Sequence, residues 1–362
     1  MKKKRINVAG FYIGSYASEE AEGVLYCHLD PASGELRVEG GMSGVENPSF
    51  LALNRQRTRL YCVSEGESFQ GSPYGGVAAC GLEGESSIPR MLNTMPSMGT
   101  APCHISLSAD ERYLFAANYS SGNVAVYPVQ EDGSLEPVSD IQQHQGSSLN
   151  PERQEGPHAH MIQPTEDGCY VVTADLGLDQ LLVYGFDVQA GTLNPLPEKT
   201  LQIAPGEGPR HFIFHPAHPR LYLINELGNT LMTFAVDLPS CSIKGPLQTI
   251  STLPDGFQDT SFTADLHLHP NGKFLYGSNR GHNSLVCCRV DPEDQMLTVK
   301  SHTSSGGDFP RNFAIAPSGR FLIVANQDSS SLQSFSLNPD TGALAPLHSL
   351  TLEVKPVCIL FA

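Results

Sequence analysis

One short phrase returns seven times along the chain: an anchor residue, an alternating apolar run, a tight turn, and a second apolar run that ends in Asn, Glu, Asp or Arg. Its copies are Pro48-Ser-Phe-Leu-Ala-Leu, Pro102-Cys-His-Ile-Ser-Leu, Pro157-His-Ala-His-Met-Ile, Pro209-Arg-His-Phe-Ile-Phe, Ala264-Asp-Leu-His-Leu-His, Pro310-Arg-Asn-Phe-Ala-Ile and Pro356-Val-Cys-Ile-Leu-Phe. Successive anchors lie 54, 55, 52, 55, 46 and 46 residues apart. That spacing is the period of four short strands with their turns, the unit of a propeller blade.

Each unit reads as strands a to d. Strand a leads through a tight turn (Ala109-Asp-Glu-Arg, Pro270-Asn-Gly-Lys, Pro317-Ser-Gly-Arg) into strand b, as in Tyr113-Leu-Phe-Ala-Ala and Phe321-Leu-Ile-Val-Ala. A second recurring turn joins c to d, for example Asp30-Pro-Ala-Ser-Gly-Glu-Leu36 and Asn338-Pro-Asp-Thr-Gly-Ala-Leu344. Gly and Asn supply the positive φ that such hairpins need. Helical periodicity is absent, so the chain is expected to be all-β. It opens on a strand-b phrase, Phe11-Tyr-Ile-Gly-Ser, and closes on a lone strand a at Val357 to Phe361. The reading is therefore one seven-bladed domain over residues 1–362, its ring closed by the C-terminal strand completing the N-terminal blade, which removes open sheet edges.

Composition bounds the partners. With 38 acidic against 22 basic residues and a formal charge of −16, the chain repels phosphate backbones and anionic lipid, so neither nucleic acid nor a membrane is an expected partner. No apolar run is long enough to span a bilayer. The basic start, residues 1–5, is followed by a short interrupted apolar stretch and Glu19-Glu20, and is read as mature sequence. Nine cysteines form no C-x-x-C pair, and most, including Cys62, Cys103, Cys169 and Cys358, fall in strand-like runs; buried thiols in a reducing cytoplasm are the expectation. Vicinal Cys287 and Cys288 should face opposite sides of a strand. Oligomeric state is left open by the sequence.

Topology locates the site. In an up-and-down blade, the d-to-a crossover and the b-to-c turn share one face of the disc, so starts of strand a and ends of strand b converge on the channel mouth, a usual ligand position. Reading those positions gives a polar set that includes His104, Asn118, Arg153, His158, His160, Asp175, Arg210, His211, Asn225, Glu226, Asp265, His267, Arg280, Arg311, Asn312 and Gln327. Any single Asn or His there has a structural alternative, since such side chains commonly bond the local backbone. Arg210, Arg280 and Arg311, with Arg153 from a lengthened crossover, suit carboxylate or phosphate oxygens; ion pairing with Glu226 and Asp265 is the alternative for part of the set. Cationic clamps, a histidine and a carboxylate in one concavity point to a small anion and acid–base chemistry.

Other motifs fall away. Gly206-Glu-Gly208-Pro-Arg precedes a strand and lacks a P-loop ending. No G-x-S-x-G elbow is found, and His158-x-His160 lacks a fixed third ligand, so neither a cofactor nor a metal is expected.

The phrases together resemble the propeller lactonase family, the cycloisomerase-type 6-phosphogluconolactonases. The likeness rests on Gly208-Pro-Arg-His-Phe-Ile-Phe-His-Pro with Leu221-Tyr-Leu-Ile-Asn-Glu-Leu227, Ala264-Asp-Leu-His-Leu-His-Pro-Asn-Gly with Leu275-Tyr-Gly-Ser-Asn-Arg280, Pro310-Arg-Asn-Phe with Gly319-Arg-Phe-Leu, and Arg153-Gln-Glu-Gly-Pro-His-Ala-His160, and it covers essentially the whole chain. The resemblance implies a seven-bladed propeller that hydrolyses 6-phosphogluconolactone in the pentose phosphate pathway. It also implies kinship with a fungal enzyme that interconverts carboxymuconate and its lactone. The functional set of that kin falls on His158, Arg210, Glu226 and Arg280 as catalytic residues, with Glu226 or His158 as base. Arg311, His160, His211, Asp265, His267, Arg153, Asn118 and Gln327 are then expected to bind the substrate, a small anionic lactone. A non-phosphorylated sugar lactone or a muconate-type acid is the alternative substrate, and a non-catalytic interaction platform the alternative role.

Overall fold

The computed structural model describes residues 9–82 and 87–362; the basic start at residues 1–5 lies outside them. Seven antiparallel sheets follow one another, each running a-b-c-d in order. Strand Lys355–Phe361 pairs with Ala9–Tyr16, with Ile13 opposite Ile359, so the last strand joins the first blade and the ring is closed as expected. In the fourth sheet the outer strand is split into Thr192–Pro195 and Leu201–Gln202 by a single 3-10 turn, Pro197–Lys199. Pro195 and Pro197 have no N–H for the ladder, so the pairing breaks where they stand.

Two contacts hold neighbouring blades together. Alternation along each strand sends apolar side chains to both faces, and seven hydrophobic clusters result among the described residues, each shared by two adjacent sheets. The cluster beside the closure joins Phe11, Ile13 and Ile359 to Ile323 and Leu332. The second contact is a repeated tyrosine pin. The second residue of the strand-b phrase is Tyr12, Tyr61, Tyr222 or Tyr276 in four blades, and each hydroxyl donates to a carbonyl in the c-to-d connection of the next blade. The acceptors are Ser87, Gly133, Gln295 and Gly342, at 2.8, 3.0, 2.9 and 2.8 Å. Cys287 and Cys288 lie in different clusters, on opposite faces of strand Ser284–Val290. Eight of the nine free thiols are buried, whereas Cys169 is exposed because it sits in the turn before strand Tyr170–Asp175 and not within the strand.

A further regularity sets the site. In six blades the a–b register slips by one residue near the start of strand a, which is a β-bulge. The slip leaves Val357, Cys103, His160, Arg210 and Arg311 as extra residues, and in the sixth blade it falls at Ala264 and Asp265. This register corrects two anchors: Ala159 and Thr263, not Pro157 and Ala264, stand where Pro209 stands, each opposite the last or next-to-last residue of its strand b.

The pins yield a stability prediction. Tyr222 is fully buried, so Tyr222→Phe strands the Gln295 carbonyl and is expected to lower unfolding free energy by roughly 1–2 kcal/mol in urea titrations, with an unchanged slope. Ile359→Ala, which opens a cavity at the closure, should cost about 2–5 kcal/mol in the same measurement.

Candidate active site

In the third, fourth and seventh blades the residue left extra by the bulge lines the mouth, in the first and fifth it lines the neck below, and residues at the ends of strand b complete the wall. Together these positions line a cavity of about 360 Å³ at the mouth: Cys103, His160, Phe262 and Arg311 from strand a, Glu65, Tyr119, Glu226 and Arg280 from the ends of strand b, and Arg153 and Phe309 from the crossovers. A narrow neck beneath it is lined by Ser49, Arg210 and His211 among others. Below the neck a lower chamber of about 160 Å³ is lined by His104, His211, Asp265, His267 and Asn312.

Glu226 organises the mouth. Its Oε1 accepts from Arg153 Nη2 at 2.6 Å, and its Oε2 accepts from Arg210 Nε at 2.9 Å and lies 2.6 Å from Arg280 Nη2. Burial alone would raise this carboxyl, but the guanidinium ions of Arg280, Arg210 and Arg153 outweigh it and hold the group well below the usual carboxylate range. Ion pairing with Glu226, the alternative considered for the arginines, therefore holds for three of them. Arg210 also donates to the Ala264 carbonyl at 2.6 Å and Arg280 to that of Thr263 at 2.8 Å.

Arg311 differs. Among the described residues it makes no hydrogen bond and no ion pair; its guanidinium lies 5.4 Å from the centre of the Tyr16 ring. Arg311 is half-buried, whereas Arg280 Nε is fully buried and has no partner. These N–H groups face the cavity or its wall with hydrogen-bonding capacity unspent, and buried donors are normally satisfied.

The remaining predicted residues separate by depth. His160 lines the mouth, and burial, reinforced by Arg210, keeps its ring neutral, with Nδ1 unpartnered. His211 is lowered to about 4, first by burial and then by Arg210; its Nδ1 lies 2.9 Å from Asp265. Asp265 also meets His267 at 2.8 Å and accepts from Asn312 at 2.5 Å, so Asp265 and His267 belong to the lower chamber and not to the mouth. Of the residues expected to be catalytic or to bind substrate, three line neither the mouth, the neck nor the lower chamber. His158 stands behind Tyr119, its ring stacked at 4.5 Å, with Nδ1 3.0 Å from the Tyr119 carbonyl and Nε2 3.3 Å from Glu155. Buried Asn118 donates to the Ser97 carbonyl at 3.0 Å and so ties a crossover to strand b, while Gln327 bonds Asp328. The amides of Gly206 and Gly208 donate to Asp179 at 2.7 and 2.6 Å, which fills the loop that superficially suggested phosphate binding.

Sequence reading missed Glu65, Tyr119 and Tyr16. Glu65 had a signal: Leu60-Tyr-Cys-Val-Ser-Glu65 has the form of Leu221-Tyr-Leu-Ile-Asn-Glu226, so both glutamates hold the same place in their blades. Among the described residues no group of three or more His, Cys, Asp or Glu is placed to hold a metal ion, and no helix is long and apolar enough to cross a membrane.

Residues 10–361 match the family model described as lactonase, 7-bladed beta-propeller. The chain is 34% identical over 351 residues to a 6-phosphogluconolactonase of Bacillus subtilis, covering 97% of both chains. Among solved structures it is similar to a putative 6-phosphogluconolactonase from Bacteroides fragilis, with TM-score 0.90, 30% identity and complete coverage of both chains. It is also similar to a periplasmic gluconolactonase from Pseudomonas aeruginosa, with TM-score 0.91, 34% identity and coverage of 98% and 99%. The repeated blades, the closing strand and the match along nearly the whole chain lead to one conclusion: this protein belongs to the seven-bladed β-propeller lactonase family.

Proposed function

We propose that the chain hydrolyses 6-phosphogluconolactone to 6-phosphogluconate at the mouth cavity, as a step of the pentose phosphate pathway. The observation that carries this reading is the unspent donor capacity of Arg311 and of Arg280 Nε beside the cavity, which suits an anionic substrate and the oxyanion formed when water adds to the lactone carbonyl. Lactone hydrolysis forms a bond from water oxygen to the acyl carbon and breaks the ring C–O bond; the carbonyl oxygen carries negative charge in between, and the leaving alkoxide takes up a proton. Fixed guanidinium groups stabilise that charge without reorganising at the moment of reaction.

In this reading the resemblance-derived roles shift. Glu226, bound by three guanidinium ions and held ionised, is a poor proton acceptor and serves to fix the arginines. His158 positions Tyr119, which in turn receives a hydrogen bond from Arg153 at 3.2 Å. His160 presents a neutral ring to the substrate. Free thiols without a disulfide fit a reducing compartment, which supports a cytoplasmic location.

A second substrate is favoured by one specific observation: the Pseudomonas gluconolactonase is as similar in sequence as the Bacillus 6-phosphogluconolactonase. Hydrolysis rates corrected for spontaneous opening separate the two, and kcat/KM at least tenfold higher for the phosphorylated lactone is the expected result. A preference for plain gluconolactone replaces this assignment with the second one. Arg311→Gln should lower kcat by about 10²-fold or more, with little change in Tm because this side chain makes no hydrogen bond to the protein. Glu226→Gln should instead lose about 3–5 kcal/mol of stability, since it leaves three guanidinium ions without their counter-charge. The folded pKa of Glu226 lies below its unfolded value of ~4.3, so its contribution is complete above that value and fades as pH falls toward the folded one. Urea unfolding of the two proteins between pH 7 and 3 should show the stability gap narrowing with acid.

A further inference from the structure

The hydrolysis needs a proton acceptor for the attacking water, and neither expected candidate is placed for it: Glu226 is saturated by arginines and His158 lies outside the cavity. We propose that Glu65 is the catalytic general base. This rests on the lactonase reading above. Glu65 and Glu226 occupy the same place at the end of strand b in the second and fifth blades, and both face the mouth, but their surroundings are opposite. Glu65 enters no ion pair among the described residues. Its Oε1 accepts from the Tyr16 hydroxyl at 3.0 Å and its Oε2 from the hydroxyl of Ser49. Two neutral donors fix the carboxylate, and each oxygen keeps a second lone-pair direction for a water proton.

Its place also fits the step. Glu65 lines both the mouth cavity and the neck, so a water held where the two meet is within its reach and faces a lactone lying in the mouth. Arg311 lines the same two spaces and lies over the Tyr16 ring whose hydroxyl binds Glu65, which puts base and oxyanion clamp on one wall. The other ionisable groups about the carboxylate are Cys103 and Tyr16, both pushed upward chiefly by burial and thus neutral, with Tyr119, Arg153, His160, Glu226 and Arg280 lining the same cavity and Arg210 and His211 the neck. In the step, water oxygen bonds the acyl carbon while one water proton passes to Glu65. The carbonyl π pair moves onto oxygen beside Arg311. Collapse re-forms the carbonyl, the ring C–O bond breaks, and the alkoxide takes the proton back from Glu65. The new carboxylic acid then releases its proton to solvent.

The test uses the full-length protein and 6-phosphogluconolactone or gluconolactone, whichever it turns over. Glu65→Gln, which retains partners for Tyr16 and Ser49, should lower kcat about 10²–10⁴-fold and leave KM within about threefold. Glu65→Ala should recover at least tenfold in rate with added formate, while Glu65→Gln should not, a difference that a purely structural role does not produce; unchanged near-UV circular dichroism confirms folding. If the unaltered protein is active and Glu65→Gln keeps kcat within threefold, or formate leaves Glu65→Ala unimproved, the base assignment is overturned and the lactonase reading stands. If the unaltered protein hydrolyses neither lactone, both fall.

Discussion

Closure of the ring is the constraint on which everything else rests. A four-stranded sheet has two apolar faces and two edges, and each sheet here gains cover for its faces only from the sheets on either side. Without the pairing of Lys355–Phe361 to Ala9–Tyr16, the first blade would lose its innermost strand and the cluster containing Ile359 would open to water. The tyrosine pins act in the same direction at the rim, each tying a blade to the turn of its successor. Closure also makes the mouth possible, because only a complete ring brings the crossovers, the starts of strand a and the ends of strand b around one axis.

At that axis, the protein places an unusual amount of buried charge. A single carboxylate, Glu226, meets guanidinium groups from the crossover at Arg153, the fifth blade at Arg210 and the sixth at Arg280. Three cations against one anion leave excess positive charge in a chain that is acidic overall, and excess charge at a cavity attracts a substrate of opposite sign. The depth ordering sharpens the chemistry: arginines and carboxylates ring the mouth, neutral histidines lie at the neck, and the Asp265–His267 pair lies below.

The fold was legible in the sequence because turn chemistry and strand alternation recur with a fixed period, and the phrases at the two ends are complementary. The site was legible in its region and in its four arginines, Arg153, Arg210, Arg280 and Arg311. What escaped reading has a physical reason. A β-bulge adds one residue without changing composition, so it is silent in the sequence, and it shifts which neighbour faces the axis. Thus His160, not His158, reaches the mouth, and the anchors of the fourth and sixth blades stand at Ala159 and Thr263, positions that no proline marks. Topology and the family resemblance both pointed to Glu226 as an acid–base group, and its three guanidinium partners are a matter of side-chain geometry that the sequence does not carry. Glu65 was recoverable by aligning its blade with that of Glu226.

The bulges carry one more implication. At Cys103, His160 and Arg311 the residue lining the mouth is the one left out of the a–b ladder, and Glu65, Tyr119 and Glu226 beside them lie just past the end of strand b. The side chains that define the mouth are therefore uncoupled from the hydrophobic clusters that hold the blades together. Natural variation can exchange Cys103, His160 or Arg311 for other residue types while the scaffold keeps its stability, so a family built on this ring can diverge in substrate by point changes at the axis, with no need to rebuild a loop or a core.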